Sequence, residues 1–255
     1  MALILGSCAK DGIDTDLFPQ EQGKEIVFRT SILQSRTTTN DRRTEFTEGD
    51  GIGIFICNRS DNEDIKGTNL RHQYQGNAWT AEEAAIFPID GTPVNFYAYY
   101  PYAESNTTTT FDFSVNADQA SNGINGSDLL LAKNDTANAN NTEVDLAFTH
   151  ALALLEVKAT LPDGVTAQKA TLKAKATASV DLTKQTATLK ADAEASEIVM
   201  AKTEDGTFRA VIPAQKLKGK YLCIEGDNGA PYWYTATEAL TLETNKVSTL
   251  TVTMQ

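Results

Sequence analysis

The sequence predicts an all-β protein with antiparallel β-sandwich architecture, and three observations support this prediction. Short runs of alternating or β-branched residues recur along most of the chain. Turn-forming clusters such as PDG, EDGT and GDNGAP separate these runs at intervals of about 8–12 residues, which is typical of sandwiches. Only WTAEEAAIF, residues 79–87, has the pattern of a short helix, with Thr80 as its N-cap and two glutamates in its first turn.

The chain begins with a short apolar run that ends at a cysteine. MALILGSC places a leucine and two small residues directly before Cys8, which resembles the bacterial lipobox, whose cysteine sulfur carries a lipid. A complete export signal has a basic start and a longer apolar stretch, so this run is interpreted as the last part of a signal. The alternative is a buried first strand. The polar, turn-rich residues 9–24 are typical of a flexible tether.

The first strand of the folded body is predicted in KEIVFRTSI, residues 24–32. The following segment, SRTTTNDRR at residues 35–43, has no apolar residue and is predicted to be a loop between two strands. Polar loops of this kind are preferred sites of proteolysis. The alternative is that its arginines are solvated charges that balance nearby acidic residues.

Further strands are predicted along the rest of the chain, interrupted by one polar stretch. Residues 116–141 are rich in Asn, Asp, Ser, Ala and Gly, which predicts a long surface excursion because the segment is too polar for a core. The composition then changes to Ala, Thr and Lys, which places a domain boundary near residues 141–145. The remaining strand segments are DGIGIFIC, TPVNFYAYYPY, TFDFSV, LEVKATL, KATLKAKAT, ASVDLTKQTATLKA, SEIVMAK, FRAVIPAQ, GKYLCIEG, APYWYTATEAL and KVSTLTVTMQ.

The overall charge excludes some partners. The 255 residues carry a formal net charge of -12, with 41% hydrophobic residues. Binding to nucleic acid requires a concentrated basic surface, so nucleic acid is not expected as a partner. Docking of the folded body on anionic lipid is disfavoured for the same reason. No segment approaches the roughly 18 consecutive apolar residues of a membrane-spanning helix.

No enzyme is predicted, because the catalytic motifs that would position a nucleophile or a base are absent from the sequence. The chain has two histidines, His72 and His150. His150, flanked by Phe148 and Leu152, is predicted to be a packing residue, and His72 a loop or strand-edge residue.

The cysteines and aromatic residues also favour structural roles. Cys57 and Cys223 occur in apolar strand-like runs and are predicted to be buried and free. The sequence has no CxxC pair and no Cys/His cluster, so neither a metal site nor a cofactor is expected. Trp79, Trp233 and the Tyr97–Tyr102 cluster are candidates for stacking on sugars, with core packing as the default interpretation.

Several segments, taken in order, resemble the fimbrillins, which are the type V pilins of anaerobic Gram-negative bacteria of the gut and mouth. They cover nearly the whole chain: LGSC, EIVFRTSILQSR, FTEGDGIGIFI, PVNFYAYYPY, DLLLAK and VDLAFTHALALLEVKATL. The resemblance implies two tandem transthyretin-like antiparallel β-sandwich domains. It divides the chain into a truncated lipoprotein signal and tether at 1–24, an N-terminal domain at 25–143 and a C-terminal domain at 144–255.

The same resemblance implies a function. Members are structural subunits of type V fimbriae at the outer membrane and cell surface, where they support adhesion. They are lipidated at the lipobox cysteine, here Cys8, and trimmed by an arginine-specific protease after the first strand. Loss of that strand opens a groove that a strand of the next subunit fills by donor-strand exchange. The implied partners are other fimbrial subunits, the protease and, through lipid on Cys8, the outer membrane.

Applied to this sequence, the resemblance makes Glu25–Ile32 the displaced strand. The cut would follow Arg36, with Arg43 as second choice, whereas Arg29 is disfavoured because it lies inside the strand. A cut after Arg36 would also remove Cys8. The displaced strand would present two faces, with Ile26, Phe28 and Thr30 on one, Val27, Arg29 and Ser31 on the other, and Ile32 at its end.

The two remaining expectations concern the C-terminal strand and the Asn-rich segment. The usual donor is the C-terminal strand, here KVSTLTVTMQ, which ends soon after the last strand of its own domain. This favours a tip or accessory subunit over a stalk subunit. The alternative function is a non-polymerising surface lipoprotein that binds a glycan or a host protein. Asp135-Thr136-Ala137 resembles the O-glycan acceptor of the same bacteria, which makes Thr136 a candidate glycosylation site.

Overall fold

A computed structural model describes residues 23–33 and 45–254 and confirms an all-β fold. The described residues form eighteen strands, one four-residue helix, α1 (Gln119–Asn122), and a 3₁₀ turn at Asn125–Ser127. The strands are β1 (Val27–Ile32), β2 (Gly51–Asn58), β3 (Asp61–Gln75), β4 (Ala78–Thr80), β5 (Val94–Tyr100), β6 (Thr110–Ser114), β7 (Leu130–Asn134), β8 (Glu143–His150), β9 (Ala153–Thr160), β10 (Ala167–Lys175), β11 (Thr177–Asp181), β12 (Thr186–Leu189), β13 (Ala195–Val199), β14 (Ala201–Lys202), β15 (Phe208–Ile212), β16 (Lys216–Gly226), β17 (Pro231–Thr241) and β18 (Val247–Thr253).

The first half of the chain forms a seven-stranded sheet in the order β1-β8-β7-β5-β2-β3-β4. Adjacent strands in this sheet run antiparallel, except for β1 and β8, which run parallel. The two end strands of this sheet approach each other, since Trp79 on β4 donates a hydrogen bond from Nε1 to Thr30 Oγ1 on β1 at 2.9 Å. The sheet therefore curls around one apolar cluster, the first core, which contains Phe28, Ile54, Phe96 and Phe148.

The second half, together with β6, forms three smaller sheets around a second core. Their orders are β13-β10-β16-β17, β14-β15-β9-β18 and β12-β11-β6. The last strand, β18, lies at a sheet edge and pairs parallel with β9. Leu155, Leu172, Phe208 and Leu222 are fully buried members of this second core.

The topology bears on the predicted domain boundary between residues 143 and 144. Strand β8, which that boundary assigns to the second domain, pairs with β1 and β7 in the first sheet. Strand β6, from the first half, pairs with β11 of the second half. The change from the first sheet to the second half occurs at residues 151–152, between β8 and β9. The division into two tandem domains stays a prediction.

The predicted helix at residues 79–87 is wrong. Strand β4 occupies the start of the segment, and Ile86 forms an isolated antiparallel bridge with Glu25. The backbone N–H of Ile26 donates to the Ala85 carbonyl at 2.8 Å, so pairing with the chain ahead of β1 holds this segment extended. Helix propensity is a weak preference, and tertiary pairing overrides it here.

The predicted surface excursion at residues 116–141 is also wrong in part. Strand β7 lies inside the first sheet, and Leu130 and Leu131 are buried. Gln119 is buried as well, because its side-chain amide donates to the Val211 carbonyl and accepts from the Val211 N–H, both at 2.9 Å. A polar side chain can be buried when its hydrogen-bonding groups are satisfied in this way.

The predictions for the cysteines are confirmed, and those for the histidines in part. Cys57 and Cys223 are buried and free, and burial raises the pKa of Cys57 to about 11, which keeps its thiol protonated. His150 is buried, with Nδ1 at 2.8 Å from Asp128 Oδ1. His72 is not a loop or edge residue, since it is buried in β3, the second strand from the end of the first sheet. The described residues contain no helix long and apolar enough to cross a membrane.

Candidate functional site

The candidate site is the space that β1 fills, which we call the β1 groove. Ile26, Phe28 and Ile32 point into the first core and are 5%, 5% and 8% exposed. Val27, which lies between Ile26 and Phe28, is 56% exposed. This alternation follows from the two-residue period of a strand that has one buried face. The chain from residue 26 to residue 32 therefore inserts three large apolar side chains into the groove.

Backbone hydrogen bonds bound the groove on two sides. On one side β1 pairs parallel with β8, with Phe28 opposite Val144. On the other side the residues just before β1 pair with residues 85–87, where the Ile26 N–H bonds to the Ala85 carbonyl. Withdrawal of β1 would leave unpaired backbone groups along both segments, and such groups readily accept a new strand.

The floor of the groove is aromatic. The Phe28 ring packs edge-on against His72 at a centroid distance of 5.0 Å and against Phe96 at 5.8 Å. Burial lowers the pKa of His72, against a smaller opposing contribution from the Leu70 carbonyl, which lies 3.3 Å from its Nδ1 atom. His72 is therefore held neutral beneath β1, since a charged ring would be costly in this apolar setting.

Two polar contacts lie along β1. The Trp79 indole donates to Thr30 Oγ1 at 2.9 Å and joins β4 to the inward side of β1. Arg29, on the outward side, forms an ion pair with Glu143 of β8, and both side chains are largely exposed. An exposed pair of this kind contributes about 0–1 kcal/mol, so the apolar face dominates the binding of β1.

The C-terminal strand β18 occupies a comparable edge position. Val252 on β18 and Met254, the residue after it, are buried apolar side chains. Thr249 on β18 donates to Glu156 Oε2 at 3.3 Å, and Arg209 Nε donates to Glu156 Oε1 at 2.9 Å. These three residues form a polar row across three neighbouring strands, with Glu156 4% and Arg209 9% exposed.

Some of the predicted site residues lie within the described part of the chain, and others lie outside it. Cys8, Arg36 and Arg43 lie outside the described residues. The candidate glycosylation residue Thr136 is exposed in the turn after β7, where its N–H donates to Asn134 Oδ1 at 3.0 Å. Its side chain is therefore accessible, and its modification stays a prediction.

Sequence reasoning missed three features that hold β1. They are the His72 ring, the Trp79 hydrogen bond and the second backbone partner at residues 85–87. The alternation in LRHQYQ would have placed His72 on the same inward face as Leu70 and Tyr74. No local signal could have identified the pairing of residues 85–87, because it depends on a segment about 60 positions earlier in the chain.

The chemistry of the site is that of binding. Among residues 23–33 and 45–254, no group of three or more His, Cys, Asp or Glu side chains is placed to hold a metal ion. The β1 groove offers backbone hydrogen-bonding groups on two sides and an apolar floor. These are the elements that recognise an extended peptide by strand addition.

Comparison with known proteins identifies a family for this chain. The model of the fimbrillin-like family matches residues 35–255. A curated protein of Bacteroides uniformis assigned as a fimbrium subunit, Fim1C, is 31% identical over 163 residues, which are 61% of this chain and 51% of that protein. The match thus spans about half the length of that relative.

Solved structures show the same fold. A protein from Bacteroides ovatus assigned to cell adhesion superposes with a TM-score of 0.71 at 20% identity, over 92% of this chain and 95% of that one. A cell adhesion protein from Bacteroides uniformis gives a TM-score of 0.62 at 20% identity, over 82% and 88% of the two chains. A fimbrial protein from Bacteroides ovatus gives 0.54 at 18% identity, over 91% and 49%.

Proposed function

The chain belongs to the fimbrillin-like family, and on that premise we propose that it is a structural subunit of a type V fimbrium that supports cell adhesion. In this proposal the subunit is made as an outer-membrane lipoprotein lipidated at Cys8. An arginine-specific protease cuts after Arg36, with Arg43 as the alternative. The subunit then receives a donor strand in the β1 groove.

The observation that carries the proposal is how β1 is held. It is the first strand of the described chain, and it fills a space bounded by the backbones of two other segments. The segment with the candidate cleavage sites, residues 34–44, follows it directly in the sequence. A cut there would leave β1 attached to the body by non-covalent contacts only.

The energetics favour replacement of β1 over an empty groove. Burial of one Phe or Ile side chain contributes about 1.5–3 kcal/mol, so loss of Ile26, Phe28 and Ile32 would cost several kcal/mol. The unpaired backbone of β8 would add to this cost. A strand with apolar side chains at the same alternate positions would recover most of it.

The identity of the donor strand depends on what β18 does. Leu250 and Val252 on β18 alternate with Met254, the residue after it, and provide the apolar spacing that a donor strand needs. In this structure β18 pairs with β9 of its own chain. A donor role would require its release, so we place the subunit at a tip or accessory position rather than in the stalk.

Limited digestion of the purified full chain with an arginine-specific protease tests the proposal. Intact mass spectrometry should show one large fragment beginning at Thr37, which Arg36→Ala abolishes and the matched Arg43→Ala leaves unchanged. Resistance of residues 35–43 to the protease would overturn the cleavage step.

Size-exclusion chromatography and peptide binding then test strand exchange. The digested protein should bind a fluorescent peptide of residues 246–255, and the same peptide with Asp in place of Val252 should not bind. Oligomers formed by the digested protein would favour a stalk position over a tip position. A fragment that stays monomeric and binds neither peptide would overturn the assembly mechanism.

A further inference from the structure

A second groove lies on the outer face of β3, outside the first core. Its volume is about 430 Å³, which is within the range of small-ligand sites. We call it the outer groove. It is lined by residues 68–71, Gln73, Gln75, residues 80–83 and Tyr102.

The floor of the outer groove is held in an unusual backbone conformation. Asn69 has a φ of 47°, in the left-handed region that non-glycine residues rarely adopt. Its side chain accepts a hydrogen bond from the Tyr99 hydroxyl at 2.8 Å and donates to the Ala103 carbonyl at 3.0 Å. A Cβ atom at Gly53 would collide with both Asn69 and Tyr99, so this arrangement requires the glycine. The network fixes β3 to the loop that carries Tyr102.

The lining of the outer groove includes planar polar groups and an aromatic ring that contact one another. The Arg71 guanidinium lies over the Tyr102 ring, 5.3 Å from its centroid. Gln75 Nε2 donates to Gln73 Oε1 at 3.0 Å, and the Thr80 hydroxyl lies 3.4 Å from Gln75 Oε1. Because these side chains already orient one another, they would lose less conformational entropy when a ligand binds.

The lining also includes Glu82 and Glu83, which follow β4. Both side chains are exposed, and within the part of the chain that the structure describes neither carboxylate has a hydrogen-bond or ion-pair partner. The outer groove thus combines one guanidinium, two carboxylates, three primary amides and the hydroxyls of Thr68, Thr80 and Tyr102.

We propose that the outer groove is a binding site for a neutral oligosaccharide. Two carboxylates against one guanidinium disfavour a phosphate or another anionic ligand. The lining is also too polar for an apolar ligand. Carboxylate, amide and guanidinium groups can each make paired hydrogen bonds, which suits the adjacent hydroxyls of a sugar. Tyr102, whose ring is covered on one face by the Arg71 guanidinium, adds a hydroxyl that can donate to or accept from a sugar hydroxyl.

This inference goes beyond the proposed function, because strand exchange uses the β1 groove and not the outer groove. The two proposals can therefore fail separately. A groove variant that no longer binds sugar should still be cut after Arg36 and should still bind the strand peptide.

The test uses the purified full chain on an array of neutral and acidic oligosaccharides, followed by titration of the best neutral ligand. We expect binding to a neutral glycan that Arg71→Ala weakens at least tenfold, as does the double variant Glu82→Gln with Glu83→Gln. The matched control is Trp233→Ala in the second half of the chain. It removes an exposed aromatic ring over which the Lys220 ammonium group lies. This control should bind as the unmodified chain does.

Thermal denaturation of each variant separates loss of binding from loss of fold. Gln73→Ala is a second groove variant, which removes a half-buried amide and its 3.4 Å hydrogen bond to the Gly49 carbonyl, and it should also weaken binding. The proposal is overturned if no neutral glycan binds, if binding survives the groove variants, or if binding is lost in Trp233→Ala. Binding restricted to acidic glycans or to a Lys-rich peptide would overturn it as well.

Discussion

The first and last strands of the described chain, β1 and β18, have similar positions but are held by different interactions. Each lies at the edge of a sheet and runs parallel to its neighbour, β1 beside β8 and β18 beside β9. These neighbours are consecutive strands of the continuous segment 143–160. A single stretch of chain therefore presents one edge to the N-terminal strand and another to the C-terminal strand.

The difference lies in the side chains. Strand β1 and the residue before it insert Ile26, Phe28 and Ile32 into the first core, and its one ion pair is exposed. Strand β18 is instead joined through Thr249 to the buried pair of Glu156 and Arg209.

This difference bears on which strand can be exchanged. Hydrophobic burial is not directional, so in the proposed exchange a strand with suitable apolar spacing would be able to replace β1. A buried carboxylate with defined hydrogen-bond partners tolerates fewer replacements, because a mismatched strand leaves polar groups unsatisfied. The comparison therefore favours β1 as the exchangeable strand and β18 as the retained one.

The largest expected effect comes from removing the main apolar contact of β1. Phe28→Ala should lower the free energy of unfolding by about 3–5 kcal/mol, because it removes a buried ring and leaves a cavity against His72 and Phe96. Urea denaturation in a Trp233→Phe background would measure this, since Trp79 in the first sheet is then the fluorescent reporter.

The matched control for Phe28→Ala is Val27→Ala, at a position that is 56% exposed. It should change the stability by less than about 0.5 kcal/mol. Equal losses in the two variants would mean that the buried face does not hold β1, and the comparison would fail.

A smaller effect is expected from the polar row beneath β18. Glu156→Ala should cost about 3 kcal/mol, because it leaves the buried Arg209 guanidinium without this carboxylate. Amide hydrogen exchange should show the loss of protection concentrated in β18 and β15. The matched variant Glu143→Ala breaks the exposed pair with Arg29 and should cost no more than about 1 kcal/mol. A larger loss of stability in Glu143→Ala than in Glu156→Ala would contradict the inference that buried polar contacts hold β18.

The smallest effect is a pH dependence confined to the side of the molecule that holds β1. Burial lowers the pKa of His72 in the folded state below its ordinary value of 6.5. The unfolded chain therefore binds the proton first, and stability falls as the pH drops below about 6.5 toward the lowered pKa. Hydrogen exchange between pH 7 and pH 5.5 should show β1 loosening before β18. His72→Phe should remove this difference, and an unchanged pH dependence in that variant would exclude His72 as its source.

Much of the fold could be predicted, because strand periodicity is a local property. The alternation of KEIVFRTSI places Ile26 and Phe28 on the same face, and the structure buries both. The free, buried state of Cys57 likewise follows from the apolar run around it. The helix predicted at residues 79–87 failed because residues distant in sequence determine the backbone partners of that segment. The lipidation and cleavage residues stay predictions, since Cys8, Arg36 and Arg43 lie outside the described residues.

The sequence by itself determined the all-β class, the two-faced character of β1 and the similarity to fimbrial subunits, since side-chain patterning encodes all three. Only the tertiary structure decided that β1 and β18 join neighbouring strands in parallel and that His72 lies beneath Phe28. It also decided that Asn69, Gly53 and Tyr102 together shape the outer groove. The physical reason is that strand pairing and side-chain packing join residues far apart in the chain. The patterning of a single strand specifies which face is buried, but not which partner covers it.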